Sequence, residues 1–369
     1  MGAPAIATGA SSVRILDGGA EAFPRMLAAI DAARETVHLE VYAFALDATG
    51  ERFVEALSAA ARRGVRVQVV VDGVGSALDG RRLETQLGSA GAQLRIFNPL
   101  RMLLLGRFRR DHRKLLLVDD EVAFVGGINV GDEYGAPLPG GEGGAWADLA
   151  AEVRGPACAW LGARLRRGRG RGRGRPRRLR GPVRIWLSGL GGGWPLRRRY
   201  LKAIGAARRA VFIAHGYFLP DRRLVRTITA AARRGVAVTL LLPGQSDIPF
   251  ARQAAMRLYG RLLAAGVRIY EWEQSILHAK AAATDGERLL LGSFNLDPLS
   301  LANLETLVEI HDPRAAGEGQ AWIARHVEAA RAIERAELEG RSLLQRWLLD
   351  VLGLWAARTA RLVGWLLRR

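Results

Sequence analysis

At 369 residues, with 49% hydrophobic side chains, the chain is long enough for two domains or one large two-lobed one, and too apolar to be wholly disordered. A formal net charge of +19 marks it as drawn to polyanions, either nucleic acid or the anionic face of a membrane. The single cysteine, Cys158, excludes an internal disulfide. Together with an N-terminus that lacks the basic-then-apolar layout of a cleaved signal peptide, it sets the expectation of a reducing, cytosol-facing location.

In chain order, Val37 to Phe44 (VHLEVYAF) reads as a strand and is followed by a helical pattern ending in Ala61-Arg62-Arg63-Gly64-Val65. An apolar strand runs from Val65 to Val71, and Gly64 stands where a helix C-cap belongs, directly before β-branched residues. Gly91 to Phe97 comes next, then a basic and apolar approach, Leu100 to Arg110, and then HRKLLLVD from His112 to Asp119. Ten of the seventeen residues from Arg164 to Arg180 are arginine and none is acidic; Gly168 to Gly181 has no apolar face to bury and reads as a flexible linker.

After the linker the order repeats. Val211 to Phe218 (VFIAHGYF) precedes a helical run ending in Ala232-Arg233-Arg234-Gly235-Val236, then a strand to Leu242, then Gly266 to Tyr270, then HAKAAATD from His278 to Asp285. The alternation of strand and helix in a duplicated chain predicts an α/β architecture with a sheet in each half: residues 1–163, a linker at 164–181, and residues 182–312. Residues 313–369 form a C-terminal region, with an amphipathic helix expected from Ala315 to Leu338. The last stretch, Arg341 to Arg369, places Trp347, Trp355 and Trp365 among arginines; its longest uncharged run, Val351 to Ala357, is too short to cross a bilayer, and it suits a helix lying in the membrane interface.

The chemistry is carried by the duplicated segments. Of 55 basic residues only Lys114, Lys202 and Lys280 are lysine, and two of these three follow a histidine by two positions. From each histidine, lysine falls at +2, aspartate at +7, glycine at +14 and asparagine at +17: His112, Lys114, Asp119, Gly126 and Asn129, then His278, Lys280, Asp285, Gly292 and Asn295. On a strand, i and i+2 share a face, so each histidine ring is expected beside its own lysine. Lysine and asparagine, twice over, make a pocket for a phosphate or phosphodiester. Asp119 and Asp285 lie at odd offset and are expected to point off that face and be structural. No cluster with metal-site spacing appears, and the isolated His38, His215, His311 and His326 read mostly as packed side chains, with His38, His215, Glu40, Tyr42 and Tyr217 on strands leading toward the cleft.

HxKxxxxD in duplicate, followed by Gly-Gly-Ile-Asn or Gly-Ser-Phe-Asn, resembles the phospholipase D superfamily from about Val13 to Asp312. Within it the chain is similar to bacterial cardiolipin synthases of the shorter, peripheral kind, through Leu103 to Arg110, Trp146-Ala147-Asp148 and Tyr217-Phe218-Leu219-Pro220. The resemblance implies two α/β/α halves forming a pseudo-twofold pair, with both histidines in one cleft. One histidine attacks phosphorus and the other protonates the leaving alcohol. The motif residues His112, Lys114, Asp119, His278, Lys280 and Asp285 then form the catalytic set; Asn129, Asn295 and Ser293 bind the substrate's oxygens; Asp148 and Glu305 orient the histidines. No metal or other cofactor is implied. The implied substrates are phosphatidylglycerol and a donor such as phosphatidylethanolamine, at the cytoplasmic face of the bacterial inner membrane. A nuclease of the same superfamily is the alternative, disfavoured by the scarcity of aromatics among the arginines.

Overall fold

The computed structural model describes residues 11–103, 108–135, 144–166, 181–189, 192–248 and 251–339. The first half runs β1 (Ser12–Asp17), α1 (Gly18–Asp31), β2 (Thr36–Val41), α2 (Ala48–Arg62), β3 (Arg66–Asp72), α3 (Gly80–Ser89), β4 (Gln93–Phe97), β5 (Leu115–Val118), β6 (Val122–Gly126), β7 (Leu149–Arg154) and α4 (Pro156–Arg166). The second half runs β8 (Val183–Leu187), α5 (Trp194–Ala206), β9 (Ala210–His215), α6 (Arg222–Arg233), β10 (Ala237–Pro243), α7 (Ala251–Met256), α8 (Tyr259–Leu263), β11 (Arg268–Trp272), β12 (Lys280–Thr284), β13 (Arg288–Gly292), β14 (Thr306–Ile310), α9 (Pro313–Glu328), β15 (Arg331–Ala332) and α10 (Arg335–Glu339).

The duplicated helices start and stop by the same devices. The Asp47 carboxylate accepts from the Gly50 amide at 2.9 Å to open α2, and Asp221 caps α6 in the same manner. Each helix ends before a glycine in the left-handed region, Gly64 at φ +88° and Gly235 at φ +89°, where the absence of Cβ lets the chain turn straight into β3 or β10. On α2 the buried Phe53, Val54, Leu57 and Ala60 recur at helical spacing, as do Leu224, Val225, Ile228 and Ala231 on α6, so each helix lays one apolar face on its sheet.

The first sheet has the order β1-β7-β6-β5-β2-β3-β4, and the second β15-β11-β10-β9-β12-β13-β14-β8. Leaving β15 aside, the two are the same sheet: the parallel trio β2-β3-β4 matches β9-β10-β11, and the antiparallel remainder matches strand for strand. Helices α1 to α3 cover one face of the first sheet around Leu39, Val69 and Leu57, and α5, α6 and α8 cover one face of the second around Ile213, Leu240 and Ile228. The inner faces pack on each other, with Leu115, Leu117 and Val125 in one cluster with Ala281, Leu289 and Leu291, joined by Leu161 of α4 and Trp322 of α9. This is the expected pair of similar α/β halves.

Three local expectations change. The helix expected from Ala315 to Leu338 stops at Glu328, because Arg331 is drawn to the sheet: its guanidinium reaches Glu271 at 2.7 Å, Glu273 at 2.9 Å and Glu337 at 2.9 Å, and its backbone pairs with Glu271. The strands expected from His112 and His278 begin only at Leu115 and Lys280. The segments ahead of them pair with the opposite half instead, His112 N–H donating to Leu304 C=O and His278 N–H to Ala147 C=O, each at 2.9 Å. Helix α4 carries the chain to Arg166, into the arginine-rich stretch. Residues 167–180 of the linker read at 164–181, the stretch 341–369 read as an interfacial helix, and 104–107 of the basic approach lie outside the described residues. Among the described residues no helix is long and apolar enough to cross a membrane.

Candidate active site

The cross-half backbone bonds decide where the histidines go. They carry His112 to the start of β14, where its Nδ1 lies 3.2 Å from Oε2 of Glu305, and they carry His278 to the start of β7, where its Nδ1 lies 2.7 Å from Oδ2 of Asp148. Each histidine thus takes its carboxylate from the other half. Both carboxylates are fully buried. An imidazole that donates Nδ1–H to such an acid keeps its Nε2 lone pair free, the tautomer a nucleophile or base requires.

The two carboxylates are held differently. Glu305 accepts from the Ser293 hydroxyl at 2.5 Å and the Ser300 hydroxyl at 2.7 Å, while its own N–H donates to Ser188 Oγ at 2.6 Å. Asp148 accepts from the Leu149 amide at 2.7 Å, and a Cβ placed on Gly127 would stand 2.4 Å from both of its carboxylate oxygens. Gly127 and Ser293 occupy matching positions after the motif glycines, so the half that has the shorter acid has no side chain there. Ser293, expected to hold substrate oxygens, is fully buried with its hydroxyl on Glu305.

Each lysine ammonium donates to the backbone carbonyl of its own histidine, Lys114 at 3.0 Å. Tyr42 flanks the first pair, its ring 5.0 Å from the His112 ring and 5.1 Å from Lys114 Nζ. Tyr217 flanks the second, with the His278 ring at 6.0 Å and Lys280 Nζ at 5.5 Å. Tyr217 also donates to Asp247 at 2.7 Å. Asn129 spends its amide on support: Nδ2 donates to the Tyr134 hydroxyl at 2.9 Å and Oδ1 accepts from Ala43 N–H at 3.2 Å. Asn295 is buried with no partner for Oδ1 among the described residues.

Asp119 and Asp285 lie away from this cluster, in the β5–β6 and β12–β13 hairpins at φ +52° and +58°. The Asp119 carboxylate accepts from the amides of Arg34, Glu35 and Thr36 at 2.9, 2.9 and 2.7 Å, and Asp285 from those of Arg208, Arg209 and Ala210 at 3.0, 2.7 and 2.9 Å. His215 is buried against the Tyr200 ring with neither ring nitrogen bonded among the described residues, and His38 faces Glu40 at 2.9 Å on the inner side of the first sheet.

Two supporting residues escaped the sequence reading. The Tyr134 hydroxyl lies 3.3 Å from His278 Nδ1, and Ser300 donates to Glu305; both stand five residues after the motif asparagine. The signal was positional, and the differing side chains hid it. The Trp146 ring, 5.5 Å from that of His278, closes the same side.

Burial dominates the electrostatics of the site. Burial, reinforced by Lys114 and Lys280, holds both imidazoles well below their usual range. Burial lowers Lys114 to about 7 and Lys280 to about 8, and raises Asp148 to about 6 and Glu305 to about 8. With both lysines and both acids charged and both imidazoles neutral, the cluster balances, and a phosphodiester monoanion brings one charge more. That charge favours the ammoniums and one protonated histidine, the state an acid–nucleophile pair needs.

Comparison with known proteins agrees. A family model described as "Cardiolipin synthase, PLD-like domain" matches residues 26–134 and 200–327. The chain is 36% identical over 320 residues to cardiolipin synthase B of Salmonella typhi and 34% identical over 320 residues to that of Escherichia coli K12, in each case covering 82% of this chain and 77% of the relative. Phosphatidylserine synthase of Haemophilus influenzae Rd KW20 shares the fold, with a TM-score of 0.71 at 15% identity over 95% of this chain and 94% of that one. The duplicated histidine–lysine cleft and these matches together place the chain: it belongs to the cardiolipin synthases of the phospholipase D superfamily and is an enzyme of that family.

Proposed function

We propose that the enzyme transfers a phosphatidyl group from a donor phospholipid to phosphatidylglycerol, producing cardiolipin through a covalent phosphohistidine. The observation that carries this reading is the pair of histidines, each backed by a buried acid from the other half, converging on two buried lysines. His112, with a side chain 14% exposed against 5% for His278, is the nucleophile; His278, gripped by Asp148 and Tyr134, is the acid and base.

His112 Nε2 attacks phosphorus, the P–O bond to the donor's headgroup breaks, and His278 Nε2–H gives its proton to the departing alkoxide. The neutral His278 then takes the proton from a hydroxyl of phosphatidylglycerol as that oxygen attacks phosphorus and the P–N bond breaks, which restores both histidines. Lys114 and Lys280 hold the nonbridging oxygens as charge builds on them. Asn295, with its unbonded Oδ1, lines the same pocket; Asn129, Ser293, Asp148 and Glu305 act by positioning, and Asp119 and Asp285 by holding the motif hairpins. The basic surface attaches the enzyme peripherally to the cytoplasmic face of an anionic membrane.

The test is to incubate the full chain with phosphatidylglycerol vesicles, with and without phosphatidylethanolamine, and to resolve the lipids by mass. Wild type should form cardiolipin, and His112→Ala and His278→Ala should each lose about a thousandfold or more in turnover. Dependence on phosphatidylethanolamine would identify it as the donor. Histidine-dependent cleavage of nucleic acid with no lipid turnover would refute the reading.

A further inference from the structure

On the inner side of the first sheet a cleft of about 270 Å³ opens between β2, β3, β4, the last turn of α4 and the end of β8. Its existence follows from a break in the duplication. In the second half α9, 16 residues long, lies across β9 to β13 and buries Ala214, Leu241 and Trp272 under Trp322. The matching helix α4 is 11 residues long and packs on β5, β7 and β8. Where the second sheet offers apolar side chains to its helix, the first offers His38, Glu40, Gln68, Gln93 and Arg95, on adjacent strands in register.

A polar face that α4 does not cover needs no ligand to explain it, but this one has buried charge as well. Arg113 is 4% exposed; its guanidinium donates to Glu40 at 3.1 Å and to the Ser188 carbonyl at 2.6 Å, and its Nε has no partner among the described residues. In the second half the same two places hold Ala279 and Ala214, both fully buried, so the Arg113–Glu40 pair is no part of the duplicated scaffold. The cleft brings Arg95, Arg113, Arg164 and His38 around one carboxylate, Glu40, which is already bonded to Arg113 and to His38.

We propose that this cleft is a second anion site, taking a phosphate-bearing group apart from the catalytic pair. The guanidinium groups that line the cleft, with the side-chain amides of Gln68 and Gln93 beside them, suit the many acceptor oxygens of a phosphate. Arg113 stands between His112 and Lys114, so a ligand that fixes its guanidinium also fixes the backbone carrying both.

The experiment is calorimetric titration of the full chain with inorganic phosphate and, separately, with dihexanoyl phosphatidylglycerol kept below its micelle concentration. Two binding events are expected. Arg95→Glu, on an exposed side chain, should weaken one by about tenfold or more and leave the other; Lys114→Met should do the converse. A second event with inorganic phosphate identifies a free-phosphate site, and one seen only with the lipid identifies a headgroup site. A single event, removed by Lys114→Met and untouched by Arg95→Glu, would overturn the proposal, as would no binding of either probe outside the histidine pair. These readouts are binding constants, so they stand whether or not the enzyme makes cardiolipin.

Discussion

Gly127 and Ser293 stand at the same place in the two halves and do opposite things, one vacating space for an acid and the other gripping one. Gly127→Ala puts a methyl 2.4 Å from the Asp148 oxygens and must push the carboxylate off His278. Turnover should fall about a hundredfold or more. Ser293→Ala removes one hydroxyl donor from Glu305 and leaves that of Ser300, so kcat should fall about tenfold with KM little changed. Steady-state kinetics on both variants checks the order of the two effects. The pH profile belongs to this scale too. The lysines bind phosphate in their charged form and are lowered to about 7 and about 8, so kcat/KM should decline as pH rises through that window. His112 must be neutral to attack, and its depressed range keeps it so at pH values where a free imidazole has begun to protonate. An acid limb at or above the usual imidazole range would contradict this. The histidines, lysines and hairpin aspartates were legible because identical residues recur at identical offsets. Tyr134 and Ser300 were not, because the same offset carries different side chains, and neither was the bond from Ser293 to Glu305, because a hydroxyl's target is set by packing across the chain.

Among the elements, the two motif hairpins are held by the aspartate that ends each motif. Asp285→Ala strips the acceptor from three backbone amides near the surface, where water partly replaces it. A loss of about 1–2 kcal/mol of stability in urea unfolding is expected, with activity per folded molecule retained; inactivity at full stability would show instead a direct part in the chemistry. The odd offset of Asp119 and Asp285 from the histidines pointed to such a place, whereas the family resemblance had put both in the catalytic set, away from which their carboxylates lie, bonded to backbone amides. Helix ends were readable for the same kind of reason, since Gly64 and Gly235 mark them by local conformational need. The end of α9 was not, because it depends on three acids that meet Arg331 from β11, its following residue Glu273 and α10. The late start of β5 and β12 likewise depends on partners in the other half.

At the level of the whole molecule, the duplication itself was legible, but the exchange of acids between halves was not: Asp148 and Glu305 lie at unequal distances from their own histidines, and nothing local says which ring each will meet. The exchange predicts energetic coupling across the halves. In a double-mutant cycle, Glu305→Gln should cost little further turnover once His112 is alanine, and Asp148→Asn little once His278 is alanine, whereas pairing Glu305→Gln with His278→Ala should not show the same masking. Additive losses within the His112–Glu305 and His278–Asp148 pairs would mean that the acids act elsewhere.

The most direct test of the central claim is to capture the phosphohistidine. In His278→Ala the acid is missing, but a p-nitrophenyl ester of phosphatidic acid has a leaving group that departs without one, while the acceptor still needs a base. The account predicts a burst of about one p-nitrophenolate per chain followed by stalling, with the phosphatidyl adduct found by mass on the peptide containing His112. A steady release with no burst and no adduct, or an adduct on His278 in the wild-type enzyme, would contradict it.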